Sequence, residues 1–598
     1  MNSMNRLVVT LVLINCFFMA LNASATERPE WARGAVWYQI LPDRFRNSDA
    51  ENDPGRVGIV DSTVFDWQTH PWASDWYKLQ LWEQGREAEL TELLQERRYG
   101  GDLDGIMEKL PYLKKLGVDI LYLTPIFASS SVNKHDAMTF HHIDPTLGIV
   151  DTGEVVKESE NAEKWVLTKS DELFVELLKE THKEKMKLVV EATFGFCSDN
   201  FWAFSDVRNL QAESAYKDWF EILTWDDPET PDAFEFTYKC RMGDKKRPLF
   251  RRTPDGNLVE PVKKYIFDCT KRWMDPNGDG VADDGVDGWS IVFSQDLPNS
   301  FWMEWNEHVR KIDADVITLR EQKFAAKELS ESAGFSLGMD NGIVDVFSEF
   351  LPVQDSSYSL SQHVEKLERA LAAIPKNRND WTVIQQTNYN LPRFSSLIVN
   401  SNAHIKLADQ GGSAYFPYKP LPPDSTESKI LELLTILKLT IPGSPMIYYG
   451  EESGMWGGRH PDNIKPMLWH EFDYEDETYH TVAPQFTKSA KNKLNRRLFI
   501  LHMQLLKLRD KNQALQQGEY MRHILDEENG LLVFSRTHES DEVVVFLNFS
   551  NTKQEVALSL GWKKNMRVKE LLSKKRYKLK GNNIELELKP YSARILVK

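Results

Sequence analysis

The sequence is poor in cysteine and in long apolar runs, and it has no excess of positive charge. Its 598 residues include 4 cysteines, 73 Lys and Arg, and 89 Asp and Glu, which gives a formal net charge of −16. Nucleic acids and anionic membranes are themselves negative, so an acidic chain is not expected to bind either of them. A neutral ligand such as a sugar is compatible with this charge.

An apolar run lies at the N-terminus. It spans Leu7–Leu21, follows Arg6 and precedes the small residues Ala23-Ser24-Ala25. A typical membrane helix needs about 20 apolar residues, so the run is short for a span. A basic residue, a short apolar run and a small-residue site are typical of a signal peptide. The sequence therefore predicts cleavage after Ala25, no membrane span in the mature chain, and export to the periplasm or the medium.

Cleavage at that site would leave three cysteines, Cys197, Cys240 and Cys269. Their spacing matches no zinc motif. Three cysteines cannot all pair within one chain. One disulfide and three unpaired thiols are both compatible with the sequence.

Apolar, β-rich runs alternate with helical patterns such as Gly105–Leu116 and Ser300–Ile312. This alternation is typical of a buried parallel sheet. The seven predicted strands are Ala35–Phe45, Asp119–Phe127, Met186–Phe194, Asp287–Ser294, Ala314–Arg320, Trp381–Asn388 and Ser444–Glu452. An eighth strand is predicted at Gly342–Phe350. Eight such strands would close a barrel, whose active face lies at the C-terminal ends of its strands.

Two regions depart from the alternation. The segment Cys197–Val262 is long and mixed, and it is interpreted as an insertion after the third strand. From Lys511 onward, short alternating strands such as Leu531–Arg536 and Glu542–Asn548 predict a small β-sandwich. The predicted division of the chain is a signal peptide at 1–25, barrel parts at 26–196 and 263–510, an inserted domain at 197–262 and a C-terminal domain at 511–598.

Short motifs follow one another in a fixed order along the chain. They are Ala35–Phe45, Tyr99–Ile106, Leu121–Phe127, Gly285–Trp289, Tyr448–Trp456 and Lys465–Trp469. Together they resemble the α-amylase family, glycoside hydrolase family 13, and their details are similar to its neopullulanase and cyclomaltodextrinase branch. The resemblance covers the chain from Arg33 to Lys598. It implies a (β/α)8 TIM barrel with an inserted domain B after the third strand and a C-terminal antiparallel β-sandwich.

The family motifs are altered at the positions that carry catalysis. A retaining glycosidase needs a carboxylate nucleophile and a carboxylic acid, and negative charge stabilises its positive transition state. The family places Asp, Glu and Asp at the ends of the fourth, fifth and seventh strands. The matching positions hold Val292, Leu319 and Asn390. The resemblance thus implies that no catalytic carboxylate is intact.

Several positions that would contact a sugar also differ from the family pattern. Phe196 and Tyr389 replace histidines, and Ser290 replaces an arginine. Phe140 stands where the family often has a stacking tyrosine. The residues expected to contact a glucan are Phe140, Phe196, Trp289, Tyr389 and Arg393.

One acidic residue is a candidate substitute for a lost carboxylate. Glu321 lies two residues beyond Leu319, and side chains two apart in a strand point to the same side. Strand rise would displace it by about 6–7 Å from the family position. The alternative is that Glu321 is a charged residue in the loop after the strand.

Two oxygen-rich segments match patterns of calcium binding, since calcium takes many hard oxygen ligands. The resemblance implies a structural calcium site formed by Asn47, Asp49, Asn52, Asp53, Gly100 and Asp102. A secondary candidate resembles the start of a calcium loop and comprises Asp275, Asn277, Asp279 and Asp283. Polar turns explain both segments as an alternative. No organic cofactor is expected.

Three functions are compatible with these observations. The first is a non-catalytic protein of α-glucan metabolism that binds α-glucans or maltooligosaccharides. The second is an active α-glucan hydrolase or transglycosylase with relocated carboxylates, and the third is a protein-interaction scaffold. Function depends on the site and not on the fold. The residues at Val292, Leu319 and Asn390 favour the first function.

Overall fold

The computed structural model describes residues 29–55, 67–149, 157–227, 229–230, 235–322, 333–340, 346–347, 359–374, 382–385, 389, 391–400, 421–480 and 487–598. The predicted signal peptide, residues 1–25, lies outside this part of the chain. Within the described ranges, every helix is too short or too polar to cross a bilayer.

The strands are, in chain order, β1 (Trp37–Ile40), β2 (Ile120–Leu123), β3 (Lys187–Ala192), β4 (Ile222–Thr224), β5 (Thr237–Tyr238), β6 (Gly288–Ile291), β7 (Ile317–Gln322), β8 (Leu337–Asp340), β9 (Val383–Gln385), β10 (Ser444–Tyr448), β11 (Glu477–His480), β12 (Thr487–Ala490), β13 (Glu519–Asp526), β14 (Leu531–His538), β15 (Asp541–Asn548), β16 (Gln554–Ser559), β17 (Arg567–Glu570), β18 (Arg576–Lys578), β19 (Asn583–Leu588) and β20 (Ser592–Val597).

The α-helices are α1 (Pro42–Phe45), α2 (Leu90–Glu96), α3 (Leu103–Leu116), α4 (Lys169–Lys183), α5 (Trp202–Leu210), α6 (Glu260–Met274), α7 (Asn299–Ile312), α8 (Leu360–Ala373), α9 (Phe394–Val399), α10 (Ser425–Thr440), α11 (Arg496–Lys511) and α12 (Gln513–Gln517). Side-chain caps fix where several of them begin, because they satisfy N–H groups that a helix start leaves unpaired. Thr168 and Asp171 form a capping box at α4, and Asp102 caps α3.

Eight parallel strands close into a barrel in the order β1, β10, β9, β8, β7, β6, β3 and β2. Inward side chains such as Tyr122, Ile317 and Leu319 form one buried cluster inside the barrel. Outward side chains of the same strands, such as Leu121 and Ile291, belong to the core shared with the helices. Burial on both faces explains why the strands read as continuous apolar runs.

The barrel confirms seven of the predicted strands and corrects the eighth. The sequence places that strand at Gly342–Phe350, but the structure forms it from Leu337–Asp340, which pairs with Leu319–Gln322 of β7. Glycine and aspartate are poor strand formers, so the segment Leu-Gly-Met-Asp gives a weak signal. Residues 341–345 and 348–350 lie outside the described residues.

The segment between β3 and β6 holds the helix α5, the short antiparallel pair β4 and β5, and the helix α6. Helix α6 spans Glu260–Met274 and so crosses the predicted limit between residues 262 and 263. The domain limits themselves stay predictions.

The C-terminal strands form a six-stranded antiparallel sheet and a two-stranded sheet of β16 and β19. The larger sheet buries both of its faces. Leu531 and Val533 share an apolar cluster with Val556 of the smaller sheet. Leu532 and Phe534 face the other way and belong to the core of the barrel. Two packed sheets confirm the predicted β-sandwich, and side-chain alternation explains why both faces are apolar.

The three described cysteines, Cys197, Cys240 and Cys269, are unpaired. The alternative of three free thiols is therefore the one that the structure adopts. Burial raises the pKa of the Cys197 and Cys269 thiols well above the usual value. Both thiols are consequently poor nucleophiles at neutral pH.

Candidate functional site

Two of the three positions predicted to have lost a catalytic carboxylate, Val292 and Leu319, lie on or directly after the neighbouring barrel strands β6 and β7. Val292 follows β6, is half-buried, and donates its N–H to the Ala192 carbonyl at 3.2 Å. Leu319 lies in β7, is fully buried and packs in the apolar cluster inside the barrel. Asn390 lies outside the described residues.

A buried carboxylate, Glu191, lies in β3 opposite Ser290 of β6. Oη of Tyr122 donates to Oε2 of Glu191 at 2.6 Å and is hydrogen-bonded to Oγ of Ser290 at 3.0 Å. Nε2 of His135 lies 2.8 Å from Oε1 of the same carboxylate. Both oxygens of Glu191 thus have protein partners, which suits a structural role better than nucleophilic attack.

Aromatic rings and an arginine occupy the mouth beside Val292. The guanidinium carbon of Arg241 lies 4.0 Å from the ring centre of Phe293 and 5.1 Å from that of Phe196. Nε of Arg241 also donates to Oδ2 of Asp296 at 2.7 Å. Cation–π contacts and an ion pair therefore hold the guanidinium of Arg241 beside Phe293, the residue after Val292.

Two further rings complete this group. The ring centre of Tyr389 lies 5.8 Å from that of His135 and 5.4 Å from that of His460. Nδ2 of Asn133 donates to Oη of Tyr389 at 3.4 Å. Burial, together with the charge of Arg44, lowers the pKa of His460 to about 4, so this ring is neutral at neutral pH. We call His135, Phe196, Arg241, Phe293 and Tyr389 the mouth cluster.

Phe293 has a left-handed backbone with φ of 54°, which is uncommon for a bulky residue. The next residues hold it in place. Oγ of Ser294 accepts a hydrogen bond from Nε of Arg320 at 2.8 Å, and the Ser294 carbonyl accepts one from Nε1 of Trp302 at the same distance. The surrounding contacts thus maintain a strained turn directly after Val292, the predicted nucleophile position.

The residues predicted to contact a glucan are placed differently from one another. Phe196 and Tyr389 lie in the mouth cluster, and Tyr389 is half-buried. Phe140 and Trp289 are buried and pack against Phe194 in the core. Arg393 is fully buried against the rings of Tyr448 and Tyr449. Sugar contact by these five residues stays a prediction.

Glu321 lies within β7, where its backbone is paired with Met339, and not in the following loop. Leu319 is paired with Leu337 one step earlier on the same strands. The role of Glu321 as a substitute carboxylate stays a prediction.

The predicted calcium loop gathers its oxygen donors beside α3. Oδ1 of Asn52 is buried without a hydrogen bond, while Nδ2 of Asn52 donates to the Gly148 carbonyl at 2.8 Å. Nδ2 of Asn47 donates to Oδ1 of Asp53 at 2.7 Å, and a side chain at Gly100 would collide with that carboxylate. An unpaired buried oxygen and a close carboxylate fit a hard cation.

Asp102 anchors this loop. Its Oδ2 accepts the N–H groups of Ser48 at 3.0 Å and Asp49 at 2.9 Å, and its Oδ1 accepts that of Gly105 at 2.5 Å. Burial raises the pKa of Asp53 to about 6, and the charges of Asp43 and Asp102 add to this effect. A bound cation would offset that crowding of negative charge.

The secondary metal candidate forms a series of polar turns. Oδ2 of Asp275 accepts from Gly280 N at 3.0 Å, and Oδ1 of Asn277 accepts from Asp279 N at 2.8 Å. Oδ1 of Asp275 is buried without a hydrogen bond, whereas Asp283 is exposed. Most of the oxygens already serve the turns, which favours the turn interpretation; metal binding here stays a prediction.

Sequence analysis missed His135 and Arg241 at the mouth. Both residues come from loops that are distant from Val292 along the chain. No spacing or periodicity connects a loop residue to a strand end that it meets only in the folded barrel. The presence of His135 and Arg241 at the mouth is therefore visible only in the structure.

Comparison with known proteins places the chain in a family. A model described as alpha amylase, catalytic domain, matches residues 39–163 and 169–518, and one described as maltogenic amylase, C-terminal domain, matches residues 521–595. Neopullulanase 2 of Thermoactinomyces vulgaris is 27% identical over 576 residues, covering 95% of this chain and 78% of that protein. Cyclomaltodextrinase of Geobacillus thermopakistaniensis is 25% identical over 579 residues, covering 96% and 79%.

A solved structure shows the same fold. The ligand-free cyclic α-maltosyl-(1→6)-maltose hydrolase from Arthrobacter globiformis matches with a TM-score of 0.65 at 20% sequence identity. The match covers 95% of this chain and 100% of that chain.

The prediction of export is wrong on this comparison. Intracellular maltogenic amylase of Bacillus subtilis is 26% identical over 554 residues, covering 92% of this chain and 74% of that protein, and its name places it inside the cell. The prediction rested on the composition of Arg6 to Ala25 alone, which lies outside the described residues.

The family models together span most of the chain, and the most similar relatives agree with them. The chain belongs to the α-amylase family, glycoside hydrolase family 13, in its branch of neopullulanases, cyclomaltodextrinases and maltogenic amylases.

Proposed function

We propose that the protein binds α-glucans or maltooligosaccharides at the barrel mouth and does not hydrolyse them. The observation that carries the proposal is the chemistry at the strand ends. Val292 and Leu319 occupy the nucleophile and acid positions, and Arg241 lies against the neighbouring Phe293. Apolar side chains can neither attack an anomeric carbon nor give a proton.

Electrostatics argue in the same direction. A glycosidase stabilises a positive transition state with nearby negative charge. Here the carboxylate of Glu191 is held by Tyr122 and His135, and the carboxylate of Asp296 is paired with the guanidinium of Arg241. Loss of a single member of a catalytic unit typically lowers kcat by about 10⁴ to 10⁶, so loss of two should leave no measurable family chemistry.

Ligand binding makes smaller demands on the mouth than catalysis does. Phe293, Tyr389 and His460 are half-buried and present ring surface there, and Asn133 is a polar neighbour of Tyr389. Sugar-binding sites combine flat apolar surface with a few polar groups. The relatives are named for action on pullulan, cyclomaltodextrin and maltose-yielding glucans, which indicates the class of ligand to test.

We also propose a structural calcium ion in the Asn47–Asp53 loop. Asn47, Asp49, Asn52, Asp53, Asp102 and the carbonyl of Gly100 would supply its oxygen ligands. The amide of Asn47 can turn to present its oxygen, since oxygen and nitrogen are assigned from hydrogen bonding. When bound, the ion would supply positive charge among buried carboxylates and hold the loop on α3.

An active hydrolase is the second candidate, and one observation favours it. Glu321 lies within β7, two residues beyond Leu319. A retaining mechanism would need a second carboxyl group about 5–5.5 Å away. Glu191 of β3 is a buried carboxylate in the barrel, but both of its oxygens are hydrogen-bonded to Tyr122 and His135.

The test is to measure binding and hydrolysis on the same purified full-length chain. Isothermal calorimetry with maltoheptaose and β-cyclodextrin measures binding, and release of reducing ends over a day measures hydrolysis. The variants are Tyr389→Ala at the mouth, Tyr577→Ala as a half-buried tyrosine of the C-terminal sheet, and Glu321→Gln.

We expect binding that Tyr389→Ala weakens at least tenfold and Tyr577→Ala leaves unchanged, with no release of reducing ends. Hydrolysis that Glu321→Gln abolishes would contradict the proposal and establish the relocated acid. A chain that neither binds nor cleaves any glucan would also contradict it and would favour the scaffold function.

A further inference from the structure

Two histidines and a glutamate meet in a part of the fold that the proposed function does not use. His141 and His142 lie in the loop after β2, and Glu158 lies in the segment that leads to α4. One ligand atom from each residue lies within 4.8 Å of the other two. Both histidine side chains are buried, and the Glu158 side chain is 27% exposed.

The three ligand atoms face one another without satisfactory hydrogen bonds. Nε2 of His141, Nε2 of His142 and Oε2 of Glu158 are each buried and lack a hydrogen bond of acceptable geometry. The Glu158 oxygen lies 2.7 Å from Nε2 of His141 and 4.0 Å from Nε2 of His142. Buried polar atoms are almost always paired, and here the close contact between His141 and Glu158 leaves Nε2 of His142 without a partner within hydrogen-bonding distance.

The other nitrogen of each ring is held by a second residue. Nδ1 of His142 lies 2.7 Å from Oδ2 of Asp171, and Nδ1 of His141 lies 2.8 Å from Oη of Tyr265. Histidines that bind metal ions typically use their second nitrogen in this way, which fixes the ring and its tautomer. The arrangement leaves both Nε2 atoms directed at Glu158.

The elements around the cluster are rigid. Asp171 belongs to the capping box of α4 and also accepts the N–H of Ile143 at 2.8 Å. Trp165 stacks on His141, with ring centres 4.2 Å apart and planes 6° apart.

We propose that His141, His142 and Glu158 bind a divalent transition-metal ion, with zinc preferred. Zinc binds imidazole nitrogen and carboxylate oxygen at about 2.0–2.2 Å, which sets tetrahedral ligand atoms about 3.3–3.5 Å apart. The observed separations of 2.7 and 4.0 Å bracket this value, so small side-chain shifts suffice. A water molecule would be the fourth ligand.

The ligand chemistry separates this site from the proposed calcium loop. Calcium prefers many oxygen ligands, whereas two imidazole nitrogens favour zinc and its neighbours among transition metals. An ion here would cross-link the segment of Glu158 and Trp165 to the loop after β2. We assign it a structural role, because the site lies outside the mouth cluster.

The test begins with the full-length chain, freed of metal by a chelator and then saturated with calcium. Zinc is added in excess, unbound ions are removed by gel filtration, and zinc per chain is measured by mass spectrometry. Calorimetric titration with zinc then gives the affinity. We expect one zinc ion per chain and a higher melting temperature with zinc than without it.

The variant Glu158→Gln preserves shape and removes the charged ligand, while Glu160→Gln makes the same change at an exposed glutamate two residues away. Loss of a residue that only hydrogen-bonds to a metal ligand typically lowers metal affinity by about 10–100-fold. We therefore expect at least a hundredfold loss for Glu158→Gln and no change for Glu160→Gln. The zinc-dependent rise in melting temperature should vanish only in Glu158→Gln.

Three results would overturn the proposal. The first is a wild-type chain that retains no zinc under these conditions. The second is a Glu158→Gln variant that binds zinc as tightly as the wild type, which would place the ion elsewhere. The third is loss of binding in Cys240→Ser, which removes the half-buried thiol, because that loss would assign the ion to a cysteine site.

Discussion

The barrel mouth at Val292 and Leu319 differs in buried charge from the flanking segment, residues 67–102, which directly precedes α3. In the flanking segment, Glu83 is buried and accepts from Nε and Nη2 of Arg97 at 2.8 and 2.7 Å, and its Oε1 lies 3.0 Å from Nε2 of His70. At the mouth, the predicted nucleophile and acid positions hold the apolar residues Val292 and Leu319. A charge that pairs within the fold is costly to lose, whereas catalytic carboxylates often strain the fold. The difference teaches that the ion pairs of the scaffold form without charge at Val292 and Leu319.

The largest effect is expected when a carboxylate is returned to the mouth. Leu319→Glu places an acid in a fully buried apolar cluster, which should lower the free energy of unfolding by about 4 kcal/mol at neutral pH. Urea unfolding measures this loss, with Leu319→Met as the volume-matched control.

The pH dependence of that variant has a definite sign. Burial raises the folded-state pKa of the new acid, so the folded state holds its proton over a range where the unfolded chain has lost it. The penalty should therefore shrink as the pH falls toward the unfolded pKa. A variant as stable as Leu319→Met would show that the interior tolerates the family's acid.

The flanking segment should respond strongly to loss of its central carboxylate. Glu83→Gln leaves Arg97 buried without its ion pair, which should cost about 3 kcal/mol at neutral pH. Chemical unfolding checks this value, and Glu87→Gln is the exposed control on the same segment.

In acid, the free energy of unfolding of the wild type should fall more steeply with decreasing pH than that of Glu83→Gln. Burial alone would raise the pKa of Glu83, but hydrogen bonds from His70 and Arg97 and the charge of Arg97 outweigh it and lower the pKa to about 2. The stabilisation is present above the ordinary value near 4.5 and is lost as pH falls from there toward 2. Parallel curves for the two proteins would contradict the role of this pair.

Calcium should stabilise the loop beside α3 by a smaller amount. At free calcium a hundredfold above its dissociation constant, binding adds about 2.7 kcal/mol to the free energy of unfolding. Melting curves with and without calcium measure this gain, which Asp53→Asn should remove and Asp104→Asn should leave in place. An equal gain in both variants would place the ion elsewhere.

The smallest effect on stability is expected at the strained turn of the mouth. Phe293→Gly loses ring contacts but relieves a left-handed backbone that costs about 1–2 kcal/mol, so the net change should stay within about 1 kcal/mol. Phe293→Ala loses the same ring and keeps the strain, so it should be the less stable variant. Glucan binding should weaken equally in both, and a glycine variant that binds normally would exclude the ring from the site.

Sequence patterns locate the barrel well because seven of its strands are apolar on both faces and keep their order. Sequence patterns do not detect the strand Leu337–Asp340, because Gly338 and Asp340 are poor strand formers. This segment is extended because it pairs with β7. The motif resemblance also predicts that Val292 and Leu319 occupy altered catalytic positions. It cannot show that one is half-buried and the other fully enclosed.

The groups that sequence analysis missed are assembled by the fold from separate segments. His141 and His142 are adjacent, but Glu158 and Asp171 reach them from beyond the loop, and none of their spacings matches a metal motif. Arg241 likewise reaches Phe293 from the insertion between β3 and β6. Such clusters depend on tertiary distances, which no local pattern records.

The six-stranded C-terminal sheet has a consequence for how the molecule melts. One of its faces belongs to the barrel core and the other to the core it shares with β16 and β19. The buried Arg536 of β14 fastens it further by donating to the carbonyls of Thr440 and Gly518. The sheet separates two hydrophobic cores and contributes side chains to both, so unfolding of either core exposes the other to water. A calorimetric scan should therefore record a single cooperative transition.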